Sequence, residues 1–268
     1  MDLSIYQVDA FTCELFKGNP AGVCITPSAL DEPLMLNIAR EMAVSETAFL
    51  ALDTMRLRWF TPKTEVKLCG HATLSTAHIL KQQGWLNDGS EVVFHTLSGD
   101  LIARAKNDAI ELIFPAPKLI KTQVCNELLT ALGISASQLI DYLQFNDKEL
   151  IVVDDEAIVS ALSPDFSRLN QIPGRGVVVT AKAKTQNADF ISRYFAPWVG
   201  IDEDPVTGSA HCALAVYWFE QLAKDDLFGY QASARGGYVR VSRQSEQAIT
   251  LCGQAVSVLK GSLCLPAL

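Results

Sequence analysis

Three short stretches gather side chains able to move protons or hold anions. In EDPVTGSAHCAL, Glu203–Leu214, two carboxylates and a proline stand directly before a run of small and apolar residues that reads as a helix. Asp204 precedes Pro205, which disfavours helical backbone at the residue before it and holds the aspartate in extended chain. Gly208 and Ser209 fall at the helix start, where unpaired N–H groups, the helix dipole and a hydroxyl can hold an anionic ligand. The same spacing equally lets Asp204 and Ser209 serve as helix caps. LCGHAT places Cys69, Gly70 and His71 at a second helix start. A helix end lowers a thiol pKa, and an imidazole there can donate a hydrogen bond or a proton, although packing and capping are the commoner duties of these two residues. In AVSETAFLAL, Glu46 is the only charge in ten residues. Either it is buried, which raises a carboxyl pKa toward the range useful for shuttling protons, or it points to solvent from an edge strand.

Composition narrows what these groups could act on. The 268 residues are 49% apolar, enough for a core in one large domain or two lobes. A net charge of −8 and a pI near 5.0, with scattered basic residues, argue against nucleic acid as a partner. The opening MDLSIYQVDAF carries an acid where a signal peptide needs positive charge, and no apolar run reaches membrane-spanning length. A cytoplasmic protein with no membrane partner is the expectation. Seven cysteines without a C-x-x-C pair fit neither a disulfide framework nor a zinc site, so most should be small core residues. His71 and His78, seven residues apart, could share a helix face, but no carboxylate joins them there at ligand spacing, and a metal is disfavoured.

The elements that must position these groups follow from periodicity. LSIYQVDAF alternates as a strand, GNPAGVCIT reads as a turn and a second strand, and SALDEPLMLNIAREMA as a helix capped by Asp31, with Pro33 in its first turn and Leu34, Ile38 and Met42 on one face. SETAFLAL, MRLRWF, EVVFHTL, DLIARAK and AIELIFP are strands, and PAPKLI from Pro115 is the best linker. Beyond it come a short helix ended by Gly133, apolar strands in ELIVVDD and GRGVVVTAK, and a weaker helix in DFSRLNQI.

One comparison within the chain organises the rest. RWFTP is followed eight residues later by the glycine of GHATLSTAHIL, and RYFAP eleven residues later by the glycine of GSAHCALAVYW. Both are an Arg-aromatic-Phe-x-Pro strand end, a polar loop and a glycine-led helix, the mark of an old duplication. The two helices are apolar almost all round, so each should lie inside a curved sheet, with only its N-terminus offered to a ligand. Each lobe then brings an anion socket, and the two could face one cleft.

With those residues in view, DAFTCELFKGNPAGVC, EMAVSETAFL, FTPKTEVKLCGHATL and DEDPVTGSAHCAL resemble, in order and spacing, the phenazine-biosynthesis PhzF-like isomerase family of the diaminopimelate epimerase fold. QASARGGYVRV and GQAVSVLKGSL look like its closing segments. The resemblance implies an α+β fold of two similar lobes, each a β-barrel-like sheet wrapped around a central helix, with the active site in the cleft between them. Residues 1–116 would form the first lobe, joined by a returning last strand at about 255–268, and residues 117–254 the second. It implies a homodimer that uses no metal or organic cofactor on a small carboxylate-bearing substrate.

Carried over by motif, Glu46 matches the family's acid/base. His71 and Asp204 match groups that line the site and assist proton transfer. Gly70, Gly208 and Ser209 match positions that bind the substrate carboxylate, and Asn19 in GNPAG a polar residue lining the site. Two-base epimerases of this fold put one thiol at the start of each helix. Here Cys69 stands at the first helix, among the substrate-binding positions, while the second-lobe loop DEDPVTGS has no cysteine, and Cys212 lies inside its helix. The implied chemistry is a cofactor-independent shift of a proton between carbons by Glu46. The alternatives are an amino-acid epimerase or racemase using Cys69 with a second base, and a small-carboxylate binding protein without turnover.

Overall fold

A computed structural model describes residues 2–184 and 187–265. The chain divides into two compact units, Met1–Ile113 with Cys252–Leu268, and Phe114–Leu251. Parallel and antiparallel strands predominate, with a few helices set between them, an α+β arrangement.

The first unit contains β1 (Asp2–Ala10), β2 (Asn19–Thr26), α1 (Glu32–Met42), β3 (Glu46–Ala51), β4 (Arg56–Phe60), β5 (Glu65–Val66), α2 (Gly70–Gln82), β6 (Glu91–Thr96), β7 (Gly99–Lys106) and β8 (Ala109–Pro115). β1 lies antiparallel to β2 on one side and to the closing strand Ala255–Cys264 on the other. β2 runs parallel to β3, β3 antiparallel to β4, and β4 antiparallel to β5 and parallel to β6. α1 begins as its sequence predicts: the Asp31 carboxylate accepts from the Leu34 N–H, with Pro33 in the first turn. α2 packs against β1, β2, β3, β7 and the closing strand. Its residues from His71 to Ala77, then Ile79 and Leu80, are all buried. The small and hydroxyl residues of GHATLSTA make this possible. Thr73, Ser75 and Thr76 each turn the hydroxyl back onto a carbonyl one turn earlier, so these three hydroxyls are paired within the core.

The second unit contains β9 (Ile120–Lys121), α3 (Asn126–Leu132), β10 (Leu139–Phe145), β11 (Lys148–Val153), α4 (Glu156–Ala161), α5 (Phe166–Leu169), β12 (Val177–Lys182), β13 (Phe190–Ala196), β14 (Ile201–Asp204), α6 (Gly208–Leu222), β15 (Asp226–Gln231), β16 (Gly237–Ser245) and β17 (Ala248–Gly253). α3 ends on Gly133 at φ +75°, the left-handed cap that glycine favours. α4 has no counterpart among the elements read from sequence, and the helix expected in DFSRLNQI shrinks to the four residues of α5. α6 is enclosed, with Ala210–Ala215 and Tyr217–Phe219 buried and Trp218 stacked on Phe190 at a centroid distance of 6.1 Å.

The duplication read from five-residue motifs extends to strand pairing. The sequence parallel, antiparallel, parallel that links β2–β3, β3–β4 and β4–β6 recurs in β11–β12, β12–β13 and β13–β15. The motif residues themselves do matching work. Arg58 forks onto Glu65 of β5 at 2.6–2.7 Å and lies 5.0 Å over the Phe60 ring. Arg193 forks onto Glu203 of β14 at 2.7–2.9 Å and lies 5.0 Å over Phe195. In both units an arginine thus pins the short strand that precedes the glycine-led helix, with bidentate geometry and cation–π contact together. Leu74 sits wholly inside the first unit on α2. Leu74→Ala should lower unfolding stability by about 2–5 kcal/mol in chemical denaturation, because the enclosed helix has little freedom to collapse onto the cavity.

Candidate functional site

In the first unit three separated stretches converge on the His71 ring. Gly18 has φ +62°, and a Cβ there would stand 2.1 Å from the Ala10 carbonyl, so the turn before Asn19 requires glycine. That turn sends Asn19 into the interior as the first residue of β2. Glu46 opens β3, opposite Ala21 of β2. Cys69 is the extended residue directly before α2, its carbonyl accepting from Thr73, and His71 is the second helical residue.

The resulting geometry is compact. Glu46 Oε2 lies 3.3 Å from His71 Nε2. Ser45 Oγ is also 3.3 Å from Nε2, and Asn19 Nδ2 is 3.3 Å from Nδ1. Cys69 Sγ is 3.5 Å from Nδ1 and 3.9 Å from Nε2. The Asn19 amide nitrogen can only donate, so in this arrangement Nδ1 is the bare ring nitrogen and Nε2–H points at the Glu46 carboxylate. His71 is therefore turned toward the glutamate and does not cap α2. Glu46 does not point to open solvent: its side chain keeps 16% of its exposure, while Cys69 and His71 each keep 6%. Burial pushes the Glu46 carboxyl above its ordinary range, with the Ser45 hydrogen bond pulling the other way. Gly70, the first residue of α2, is half-buried beside these groups.

In the second unit Asp204 ends β14 in extended backbone, as its place before Pro205 requires. It does not cap α6 directly. The cap position belongs to Thr207, whose hydroxyl donates to Asp204 Oδ2 while its N–H donates to Gln231 Oε1 at 2.9 Å. Gln231 Nε2 in turn donates to the Asp204 carbonyl at 2.7 Å. Gly208 is buried and Ser209 half-buried at the first two helical positions, and Ser209 Oγ accepts from Lys148 Nζ at 2.9 Å. Burial lowers the Lys148 pKa, the charge of Arg175 adds to this, and Asp147 and Asp204 oppose it. The predicted residues thus assemble in two groups: Asn19, Glu46, Cys69, Gly70 and His71 in the first unit, Asp204, Gly208 and Ser209 in the second.

Sequence reading missed Ser45, Thr207, Gln231 and Lys148. Ser45 and Thr207 stand beside residues already singled out, and their hydroxyls were the available signal. Gln231 and Lys148 arrive through long-range strand pairing, which leaves no local mark. Two expectations are corrected. Cys24, Cys69 and Cys212 are buried, but Cys13 and Cys264 are exposed and Cys125 and Cys252 intermediate, since strand ends and turns place them near the surface. Absence of a carboxylate at ligand spacing held only along the helix. Glu46 arrives from β3, and Glu46, Cys69 and His71 bring ligand atoms within 4.8 Å of one another.

His211, on α6, is fully buried and donates from Nδ1 to the Thr207 carbonyl, a neutral structural group whose pKa burial pushes down to about 4. Two opposite pH dependences follow. The unfolded chain protonates His211 first, so its share of stability falls as pH drops from about 6.5 to 4, by roughly 3 kcal/mol. Glu46 holds its proton more tightly when folded, so its contribution is full below the ordinary glutamate pKa and is lost as pH rises through the raised native value. Denaturation at pH 5 and pH 8 should show Glu46→Gln gaining stability relative to the native sequence at the higher pH.

Comparison with known proteins adds to this geometry. A family model described as "Phenazine biosynthesis-like protein" matches residues 8–261. An uncharacterized isomerase of Halalkalibacterium halodurans is 47% identical over 99% of this chain and 100% of its own length, and one of Pseudomonas aeruginosa is 45% identical over 98% and 99%. The crystal structure of a phenazine biosynthesis protein of the PhzF family from Enterococcus faecalis aligns with a TM-score of 0.92 at 38% identity, covering 99% of this chain and 100% of that one. Its fold is the diaminopimelate epimerase-like arrangement. Among the described residues no helix is long and apolar enough to cross a membrane.

Proposed function

The chain belongs to the phenazine biosynthesis-like family and is an isomerase, and from that premise we propose that Glu46 is the acid/base of a proton shift within a small carboxylate-bearing substrate. The observation that carries this reading is the Glu46 carboxylate, three-quarters or more withdrawn from water and 3.3 Å from the His71 N–H. Burial moves this carboxyl upward from the ordinary glutamate range, the direction that suits a group that takes and returns a proton.

As carboxylate, Glu46 removes a proton from a carbon made acidic by an adjacent unsaturated or carboxyl-bearing group. As the acid, it returns that proton to another carbon on the same face, and the double bond moves. No electrons leave the substrate, so the step needs no redox partner and no organic cofactor. His71 N–H steadies the carboxylate and the developing charge, and Asn19 fixes the ring tautomer. The start of α2 at Gly70 in the first unit, and the start of α6 at Gly208 and Ser209 with Asp204 and Thr207 in the second, each offer the N–H and polar groups that suit a carboxylate. Lys148, which already donates to Ser209, adds positive charge to the second set. Homodimerisation belongs to the same reading on family likeness alone.

A second reading has its own support. Cys69 Sγ lies 3.5 Å from His71 Nδ1, a thiol–imidazole contact of the kind that activates a thiolate, which favours an epimerase using Cys69 with a second base. Proton NMR in deuterated water separates the two, on a panel of unsaturated, amino and hydroxy acids that includes dihydro-hydroxyanthranilate, the phenazine precursor. The isomerase reading expects deuterium to enter a C–H position, with Glu46→Gln slowing that exchange by about 10²–10⁴-fold. Exchange that survives Glu46→Gln and vanishes on alkylation of Cys69 would replace it with the epimerase.

A further inference from the structure

The repeat that relates the two units inverts the charge at one place. Aligning Arg58-Trp59-Phe60 with Arg193-Tyr194-Phe195 carries the strand registers across. Thr47, opposite Phe60, corresponds to Val177, opposite Phe195, and Gly22, opposite Thr47, to Glu149, opposite Val177. One residue earlier on each strand, Glu46 corresponds to Gly176 and Ala21 to Lys148. The glycine-led helices make His71 and Ser209 counterparts, each the second residue of its helix. In the first unit a carboxylate meets that residue, Glu46 Oε2 lying 3.3 Å from His71 Nε2. In the second an ammonium does, Lys148 Nζ donating to Ser209 Oγ at 2.9 Å.

The second unit has no room for the glutamate. A Cβ on Gly176 would stand 2.0 Å from the Tyr194 hydroxyl, which fills that space. Lys148, on the adjacent strand, has its Nζ 5.8 Å from the Tyr194 ring centre and 5.7 Å from that of Phe145, two aromatic faces that favour its charged form. An ammonium carries three N–H donors, and among the described residues Ser209 alone accepts from it. No carboxylate pairs with it there: Asp147 is bound to Arg175 at 2.6 Å, and Asp204 accepts from Thr207. Ser209, half-buried, accepts from Lys148 and keeps its own O–H to give. Both groups lie at the start of α6, whose first N–H groups make no bond within the helix. A charge drawn out of water with unspent donors is unfavourable until an acceptor of opposite sign meets it.

We infer that Lys148 is the residue by which the second unit selects its ligand: it admits an ionised carboxylate, held by the Lys148 ammonium and the Ser209 hydroxyl, and rejects the neutral amide of the same shape. A carboxylate offers two charged acceptors to these two donors, whereas an amide brings no charge and sets its own N–H groups against them. The inference rests on the carboxylate-substrate reading above for the identity of the ligand; the preference for an anion does not depend on Glu46.

Acetate, small enough to enter a pocket that admits a larger acid, tests this without turnover. In protein labelled with carbon-13 lysine and nitrogen-15, acetate should shift the Lys148 side-chain and Ser209 amide signals together and saturably, while acetamide at the same concentration leaves both in place. Lys148→Met keeps the apolar stem and removes the charge, and should weaken acetate binding, read at the Ser209 amide, by about 10–100-fold. Lys148→Arg should restore most of that loss, which separates the missing charge from a packing defect. Where a variant misfolds, acetate against acetamide in the native sequence still decides. Equal shifts with acetamide, acetate binding unchanged in Lys148→Met, or no saturation at either signal in the native protein would each overturn the assignment. Acetate binding requires no proton transfer by Glu46, so this inference and the isomerase, tested by deuterium exchange, fail separately.

Discussion

The contact between Glu46 and His71 is the constraint around which the first unit is organised. A carboxylate out of water is expensive unless something meets it, and a ring N–H at 3.3 Å meets it only if the histidine stays in one tautomer. Asn19 sets that tautomer, and Asn19 is held in place by a turn that only Gly18 can make. His71 in turn needs α2 to begin where it does, with Cys69 extended just before it. The enclosed helix, the glycine turn and the parallel pairing of β2 with β3 thus serve one small arrangement of polar atoms in an apolar interior.

Each glycine-led helix also depends on a pinned strand before it. Arg58 and Arg193 hold β5 and β14 through the same pair of contacts, a forked carboxylate and an aromatic face. This accounts for the Arg-aromatic-Phe pattern surviving in both halves while the loops that follow diverged. In the first unit that loop delivers a thiol and an imidazole. In the second it delivers Asp204 and Thr207, tied to Gln231, while the helical histidine there, His211, is shut in the core and kept neutral.

Much of this was legible because the features were local. Asp31 and Pro33 announced α1, the all-round apolar character of α2 and α6 announced their enclosure, and Glu46 stood out as one charge in an apolar strand. The legible signal stopped where pairing over long distances decided the outcome. Nothing in LCGHAT says that its histidine turns toward a residue 25 positions earlier, and nothing in the turn before β11 says that Lys148 reaches Ser209. The surface positions of Cys13 and Cys264 were missed for a related reason, since residue type alone favours the core and only the finished strand ends expose them.

Proton transfer by Glu46 depends most on its carboxyl pKa being raised by burial while the group is held against His71. Carbon-13 NMR of selectively labelled glutamate, with Glu46→Gln used to assign the signal, follows that carboxyl through pH directly. Titration of Glu46 above the ordinary glutamate range, with the His71 ring responding in the same interval, is the predicted result. A Glu46 that titrates with the surface glutamates would contradict it.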